Sequence, residues 1–491
     1  MTSTLNASPR SYSPADWLQG YQSLPEEWDY WIEDIEGEVP SGLTGTLFRN
    51  GPGLLEIGGQ PIRHPFDGDG MITAFRFPGD GRVHFRNRFV RTKGYVEEQA
   101  AGRMLYRGVF GTQPAGGWLR NAFDLRLKNI ANTNVVYWGK KLLALWEAAE
   151  PHRLDPASLE TLGLDNLNGL LNPGMAFSAH PRIDPHSELD GGAPCLVNFS
   201  LKTGLSSTLT LLEFGPQGQL LRRHSHSIPG FAFIHDFAIT PNYAIFLQNK
   251  VRFNPMPYLL GLRGAGECVH FQPQAPAQLV VIPRKPPYGP VQLLPVKAGF
   301  VFHHANAHEQ DGQIILDSVC YNSLPQIQPD GDYRTVDFAS LDPGQLWRFT
   351  IDLAQQHVEG HRLLSRCCEF PVLHPDYVGR PARYYYLGAA HDPTGNAPLQ
   401  AVVKLDVTTG QEDIYSCAPR GFTGEPIFVP QPGGKAEDEG WLLVLSYNAA
   451  QHRSRLLIFD AQQLSQGPLA TLNLKHHIPY GLHGSWIDQC F

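Results

Sequence analysis

The chain has 491 residues, of which 42% are apolar, 18% charged and 11% aromatic, a composition that supports a large core and excludes a disordered or fibrous protein. Lys and Arg number 39 against 47 Asp and Glu, a formal charge of -8, so there is no basic field to attract nucleic acid. Seven cysteines with no CxxC pair read as reduced thiols rather than as a disulfide framework or a thiolate zinc site.

Met1 to Asp16 contain no apolar stretch of the kind a secretion signal needs, and no run of about 18 apolar residues occurs anywhere. The expectation is a cytoplasmic protein, soluble or peripherally membrane-associated, whose first ~15 residues are flexible. Glycines and prolines, 49 and 41 of them, punctuate the whole chain and leave little room for long helices. Short β-rich runs ending in polar or Pro/Gly turns occupy residues 73–81, 141–146, 151–156, 210–216, 243–247 and 279–284. The pattern continues through 313–319, 346–352, 383–387, 401–407, 441–445 and 455–460. One class of run recurs seven times at intervals of roughly 55 to 77 residues, the length of a four-stranded propeller blade. This predicts an all-β, seven-bladed β-propeller in a single domain spanning 1–491. The alternative is a pair of β-sandwiches, but no Pro/Ser linker divides the chain. Residues 108–128 depart from β character and carry Trp118, Leu119 and Phe123 in an amphipathic surface segment.

Most of the twenty histidines, among them His64 and His152, sit among polar or turn residues and read as surface or capping groups. Four differ: His180, His235, His303 and His483 are flanked by aromatic or aliphatic residues, where a buried imidazole needs a partner. Their separations of 55, 68 and 180 residues correspond to one, one and three repeats. Equivalent positions of different blades converge on a propeller's axis, so four such imidazoles can meet at one metal there. Glu147, Glu369 and Glu425 lie in equally apolar settings, and a glutamate is seldom buried without a partner. Each can accept the remaining ring N–H of a metal-bound imidazole, fixing its tautomer and orientation. An all-imidazole set disfavours magnesium and calcium and leaves iron(II), zinc or another imidazole-preferring ion. Four ligands on an octahedral ion leave two positions open, which favours non-haem iron with dioxygen as a second reactant. No Rossmann fingerprint or haem-attachment motif occurs, so neither nicotinamide nor haem is expected.

At these residues the sequence resembles the carotenoid cleavage oxygenase family, iron(II) enzymes built on a seven-bladed propeller. The resemblance runs from 45–53 (Gly-Thr-Leu-Phe-Arg-Asn-Gly-Pro-Gly) through 64–71 (His-Pro-Phe-Asp-Gly-Asp-Gly-Met) to the terminal His483-Gly-Ser-Trp. Residues 131–134, 262–268 and 476–480 carry a closer match to bacterial members that cut shortened carotenoids at the 15,15' bond. The resemblance implies His180, His235, His303 and His483 as ligands of Fe(2+), with the first histidine of the 303–304 pair as ligand. It implies Glu147, Glu369 and Glu425 as the carboxylates that orient three of them, and Thr133 as a residue whose methyl restricts one open iron position. It further places Phe66, Trp146, Phe233, Phe302 and Tyr321 along the substrate tunnel, under a cap of loops and short helices over the metal. No side chain is implied as general acid or base.

The implied reaction is dioxygenase cleavage of an apocarotenal by O2 to retinal and a second carbonyl product. The alternatives are another alkene on the same fold, such as a stilbene-type phenolic or a full-length carotenoid, and a non-enzymatic binding propeller. A membrane-soluble substrate implies peripheral contact with a bilayer, for which Trp118, Leu119 and Phe123 and the apolar loop 253–260, from Phe253 to Leu260, are the candidates.

Overall fold

In the computed structural model, which describes residues 11–325 and 331–491, the β-rich runs pair into seven antiparallel sheets, the blades of a propeller. Blade 1 contains Asp29–Trp31, His84–Phe89, Asp69–Pro78, Thr44–Leu54 and Gly484–Ile487, in order from rim to hub. Blades 2 to 6 have four strands each, and their innermost strands are Asn134–Trp138, Arg182–Asp184, Ala238–Ile239, Phe300–Gln310 and Cys368–Val372. Blade 7 begins at the hub with Gly421–Pro430 and ends at the rim with Ile35–Gly37, a strand lent by the N-terminal part of the chain. The ring is therefore closed twice, on the inside by the last strand and on the outside by one of the first.

Each blade buries its faces against its neighbours, which is where the apolar alternation of the strands is consumed. The largest apolar cluster joins blade 1 to blade 7 through Leu47, Phe75, Phe85, Leu443, Ile458 and Leu472, all at most 1% exposed. Full burial of one such side chain stabilises by about 1.5–3 kcal/mol. All seven cysteines are free, in line with the reduced-thiol reading. His152 differs from its sequence reading: it lies in the blade 2 strand His152–Leu154 and is buried. Burial pushes its imidazole down to about 4. Of the N-terminal segment expected to be flexible, residues 1–10 lie outside the described residues. Ser11 donates to Asp392 at 2.6 Å, and Pro14–Gln19 forms a helix capped by Ser13.

Two loop segments form an apolar rim on one face. The helix Gly117–Asn121 and the helix Pro255–Leu259 lie side by side, with Phe123 N–H donating to the Leu259 carbonyl at 2.8 Å. Arg107, fully buried, ties the pair together: its guanidinium donates to the carbonyls of Asn121, Asp124, Tyr258 and Arg263. Gly261 is required at their closest approach, because a Cβ there would come within 2.5 Å of Ala122 N, at a backbone φ of +70°. Trp118, Leu119, Phe123, Leu125, Met256 and Leu262 are each more than half exposed on this surface. No helix among the described residues is long and apolar enough to cross a membrane.

Candidate metal centre

The hub is built from the starts of the innermost strands. Thr133, His180, His235 and His483 lie one to three residues before the inner strands of blades 2, 3, 4 and 1, while His303, Glu369 and Glu425 lie within those of blades 5, 6 and 7. Every blade thus contributes one residue at a nearly equivalent position, and the types run Thr, His, His, His, Glu, Glu, His. Glu147 is the exception, standing just beyond the second strand of blade 2, Lys141–Leu145.

Three of these residues sit where the ladder is irregular. The blade 5 register shifts between Val301 and His304, the blade 6 register between Glu369 and Val372, and the blade 7 register between Thr423 and Pro426. A bulge breaks strict alternation and re-aims a side chain. At the blade 5 bulge His303 turns to the hub. His304 turns into the protein, where its Nδ1 pairs with Ser318 Oγ at 2.7 Å and its N–H donates to Asp236 at 2.8 Å. At the blade 6 bulge Phe370 takes a φ of +55°, and its N–H donates back to Glu369 at 2.8 Å.

The four histidines converge, with one ring nitrogen of each lying within 4.8 Å of those of the others. His180 Nε2 and His483 Nε2 are 3.1 Å apart. Two imidazole nitrogens bound to one ion at about 2.1 Å and at right angles stand about 3 Å apart, so this spacing suits a shared metal. His303 Nε2 is buried and has no hydrogen-bond partner among the described residues, as expected of a donor aimed at an ion. The donor set fits an imidazole-preferring divalent ion.

Three imidazoles are oriented by carboxylates through Nδ1. His235 donates to Glu147 at 2.5 Å, His303 to Glu369 at 2.5 Å and His483 to Glu425 at 2.8 Å. Among the described residues no carboxylate holds His180, and burial together with the other three rings holds it well below the ordinary imidazole value. Burial also keeps His483 low despite Glu425. At His303 burial opposes protonation, but the Glu369 carboxylate outweighs it and raises the ring. Burial would raise Glu369 and Glu425; the imidazoles they hold, with Arg49 beside Glu425, bring both below the usual carboxylate value. The Tyr321 phenol, kept protonated by burial and by Glu369, donates to Glu369 at 2.7 Å.

A chamber of about 250 Å³ opens beside the four rings. The five residues that the resemblance places along a tunnel, Phe66, Trp146, Phe233, Phe302 and Tyr321, line it, and so does Thr133. Phe110 and Phe370 line it too and were not legible in the sequence. A second cavity of about 310 Å³ adjoins it across Phe66, Tyr321, Glu369 and Phe370. Asp67 shapes the wall by accepting the backbone N–H groups of Phe110 and Thr112 at 3.0 and 3.2 Å. The apolar rim adjoins the chamber directly: Gly266 N–H donates to the Val109 carbonyl at 2.8 Å, and the neighbouring Phe110 and Glu267 face the chamber.

A cluster of four imidazoles at the hub of a seven-bladed propeller, beside an apolar chamber, defines a metalloenzyme that works on an apolar substrate. The chain belongs to the carotenoid oxygenase family, whose model, described as retinal pigment epithelial membrane protein (RPE65), matches residues 21–488. It is 67% identical over 483 residues to the apocarotenoid-15,15'-oxygenase of Synechocystis sp., covering 98% of each chain. It is 31% identical over 472 residues to lignostilbene-alpha,beta-dioxygenase isozyme III of Sphingomonas paucimobilis, covering 93% of each. The crystal structure of cobalt-substituted Synechocystis ACO matches it with a TM-score of 0.97 at 67% identity, over 98% of this chain and 100% of that one.

Proposed function

We propose that this protein is an iron(II)-dependent apocarotenoid oxygenase that splits the 15,15' double bond of an apocarotenal. One C=C bond and one O2 become two C=O groups, giving retinal and a second carbonyl product. The observation that carries this reading is the convergence of His180, His235, His303 and His483 beside an apolar chamber. It is supported by the likeness to the Synechocystis enzyme. Iron(II), when bound by the four imidazoles, supplies the site at which dioxygen is activated.

The chain's own residues do the rest. Glu147, Glu369 and Glu425 accept the Nδ1 protons of three rings, so that Nε2 is the free donor on each. Thr133, with Oγ1 turned to Asn132 Oδ1 at 3.2 Å, narrows the space beside the rings. Trp146, Phe233 and Phe302 hold a rigid polyene by shape and aromatic contact, because its length offers no hydrogen bonds. The apolar walls exclude water from the reacting bond, and no side chain acts as acid or base.

We place the protein in the cytoplasm with the 118–127 and 253–262 rim resting on a bilayer. The side-by-side packing of the two exposed loops, and their continuity with the chamber wall, support the bilayer contact. The test is anaerobic iron loading followed by an 8'-apocarotenal in air, with polyene absorbance and product masses recorded. About one iron per chain with retinal among the products is the expected result. Iron without cleavage would redirect the search to stilbene-type or full-length polyene substrates, and absence of iron would overturn the reading.

A further inference from the structure

The three carboxylates that hold imidazoles are not held alike themselves. Glu147 is 34% exposed in its side chain, and among the described residues His235 is its only hydrogen-bond partner. Glu369 is held by neutral donors, the Tyr321 phenol and the Phe370 N–H. Glu425 alone has a cation: Arg49 Nη1 donates to its Oε2 at 2.5 Å, with the two side chains 4% and 10% exposed.

Arg49 reaches the centre through the seam that closes the ring. It lies in the strand Thr44–Leu54 and pairs in register with Gly484. Its second arm, Nη2, donates to the Leu482 carbonyl at 2.9 Å, so one planar fork grips both the carboxylate that orients His483 and the peptide that precedes it. Gly484 N–H donates to the same Glu425 oxygen at 3.0 Å. A Cβ on residue 484 would come within 2.6 Å of Arg49 Cδ, so the glycine leaves the guanidinium its path. Asn50 continues the clamp, donating its N–H to the His483 carbonyl at 2.8 Å and accepting from Leu482 N–H at 2.9 Å.

Charge gives Arg49 a second role. Three carboxylates surround the four imidazoles, and a buried charge is costly unless it is compensated. One guanidinium and one divalent ion cancel the three carboxylates completely. Arg182 and Asp236, paired at 2.5 Å, add no net charge.

We propose that Arg49 is a positioning residue of the metal centre: it acts through Glu425 on His483, and its charge lets a divalent rather than a trivalent ion balance the three carboxylates that hold the imidazoles. This rests on the centre holding iron(II). A wild-type protein that binds no iron sinks that reading, whereas iron in the wild type with the results below reversed sinks only the role of Arg49.

The experiment uses the full chain, loaded with iron anaerobically. It compares R49M, R49K, E425Q and R49M/E425Q for iron retained against a chelator and for the iron(III)/iron(II) midpoint potential. R49M is expected to retain iron about 10–100-fold less tightly and to have a lower midpoint, because a lost positive charge favours the trivalent ion. R49K keeps the charge and loses the fork, so its midpoint stays at the wild-type value while retention weakens. The double variant is expected to retain iron no worse than E425Q, since Arg49 acts through that carboxylate. Multiplied losses in the double variant, or an unmoved midpoint in R49M, would overturn the proposal. If R49M does not fold, R49K decides: a midpoint shifted as far as iron loss is severe assigns Arg49 a merely structural part.

Discussion

At the hub, each imidazole comes from its own blade and three of the four are fixed by a carboxylate. At the rim, two loops expose their large apolar side chains, and the single buried Arg107 ties them through four backbone carbonyls. The two regions answer different demands. A metal site needs direction to within a fraction of an ångström, which neighbouring β-ladders supply. An exposed apolar surface needs apolar area, which loops supply without any ladder, at the cost of borrowing an internal cation to satisfy their carbonyls. The chamber lies between the two, walled by Phe110 and Glu267 on the rim side and by Phe302 and His303 on the hub side.

The contrast breaks most severely at the hub. H235A or H483A is expected to abolish iron retention, read by metal analysis after gel filtration, whereas H304A keeps its iron because His304 faces Ser318. Full iron content in either hub variant would remove the site assignment. The contrast sharpens among the carboxylates. E425Q is expected to weaken iron retention by about 10–100-fold. E147Q should fall nearer the lower end, since Glu147 is the most exposed of the three and the least held. Equal losses on chelator titration would show that burial of the carboxylate does not matter. The smallest effect belongs to the rim: L119D/F123D should reduce sedimentation with anionic vesicles several-fold and leave iron content untouched. Unchanged vesicle binding would overturn the bilayer contact of these loops.

Much of the hub was legible because the repeat carries it. Histidines separated by one, one and three units must fall on blades 3, 4, 5 and 1, and they do. What a repeat cannot express is the local break in alternation. The bulges at 301–304, 369–372 and 423–426 aim His303, Glu369 and Glu425 inward, yet nothing in the residues around them announces a bulge. The choice of His303 over His304 came from resemblance alone. Arg49 left a fainter signal, a cation within the apolar run Leu47-Phe48-Arg49, which demanded a buried anion without saying which of 47 carboxylates it was. The rim was half legible. Each apolar loop could be picked out separately, but their union depends on Arg107 reaching Tyr258 and Arg263, more than 150 residues away, and no periodicity encodes that contact.

The inner strand of blade 1 brings one further consequence. Because Gly484–Ile487 is that strand, delivery of His483 and closure of the ring are a single event. An open ring can offer at most three imidazoles, so an ion that also engages the fourth adds to the apolar packing between blades 1 and 7 that already fastens the seam. By mass action, a saturating ion that binds the closed form tenfold more tightly than the open one adds about 1.4 kcal/mol to closure. An ion held by all four rings would thus be a clasp of the fold, and protein kept without it is expected to be easier to unfasten.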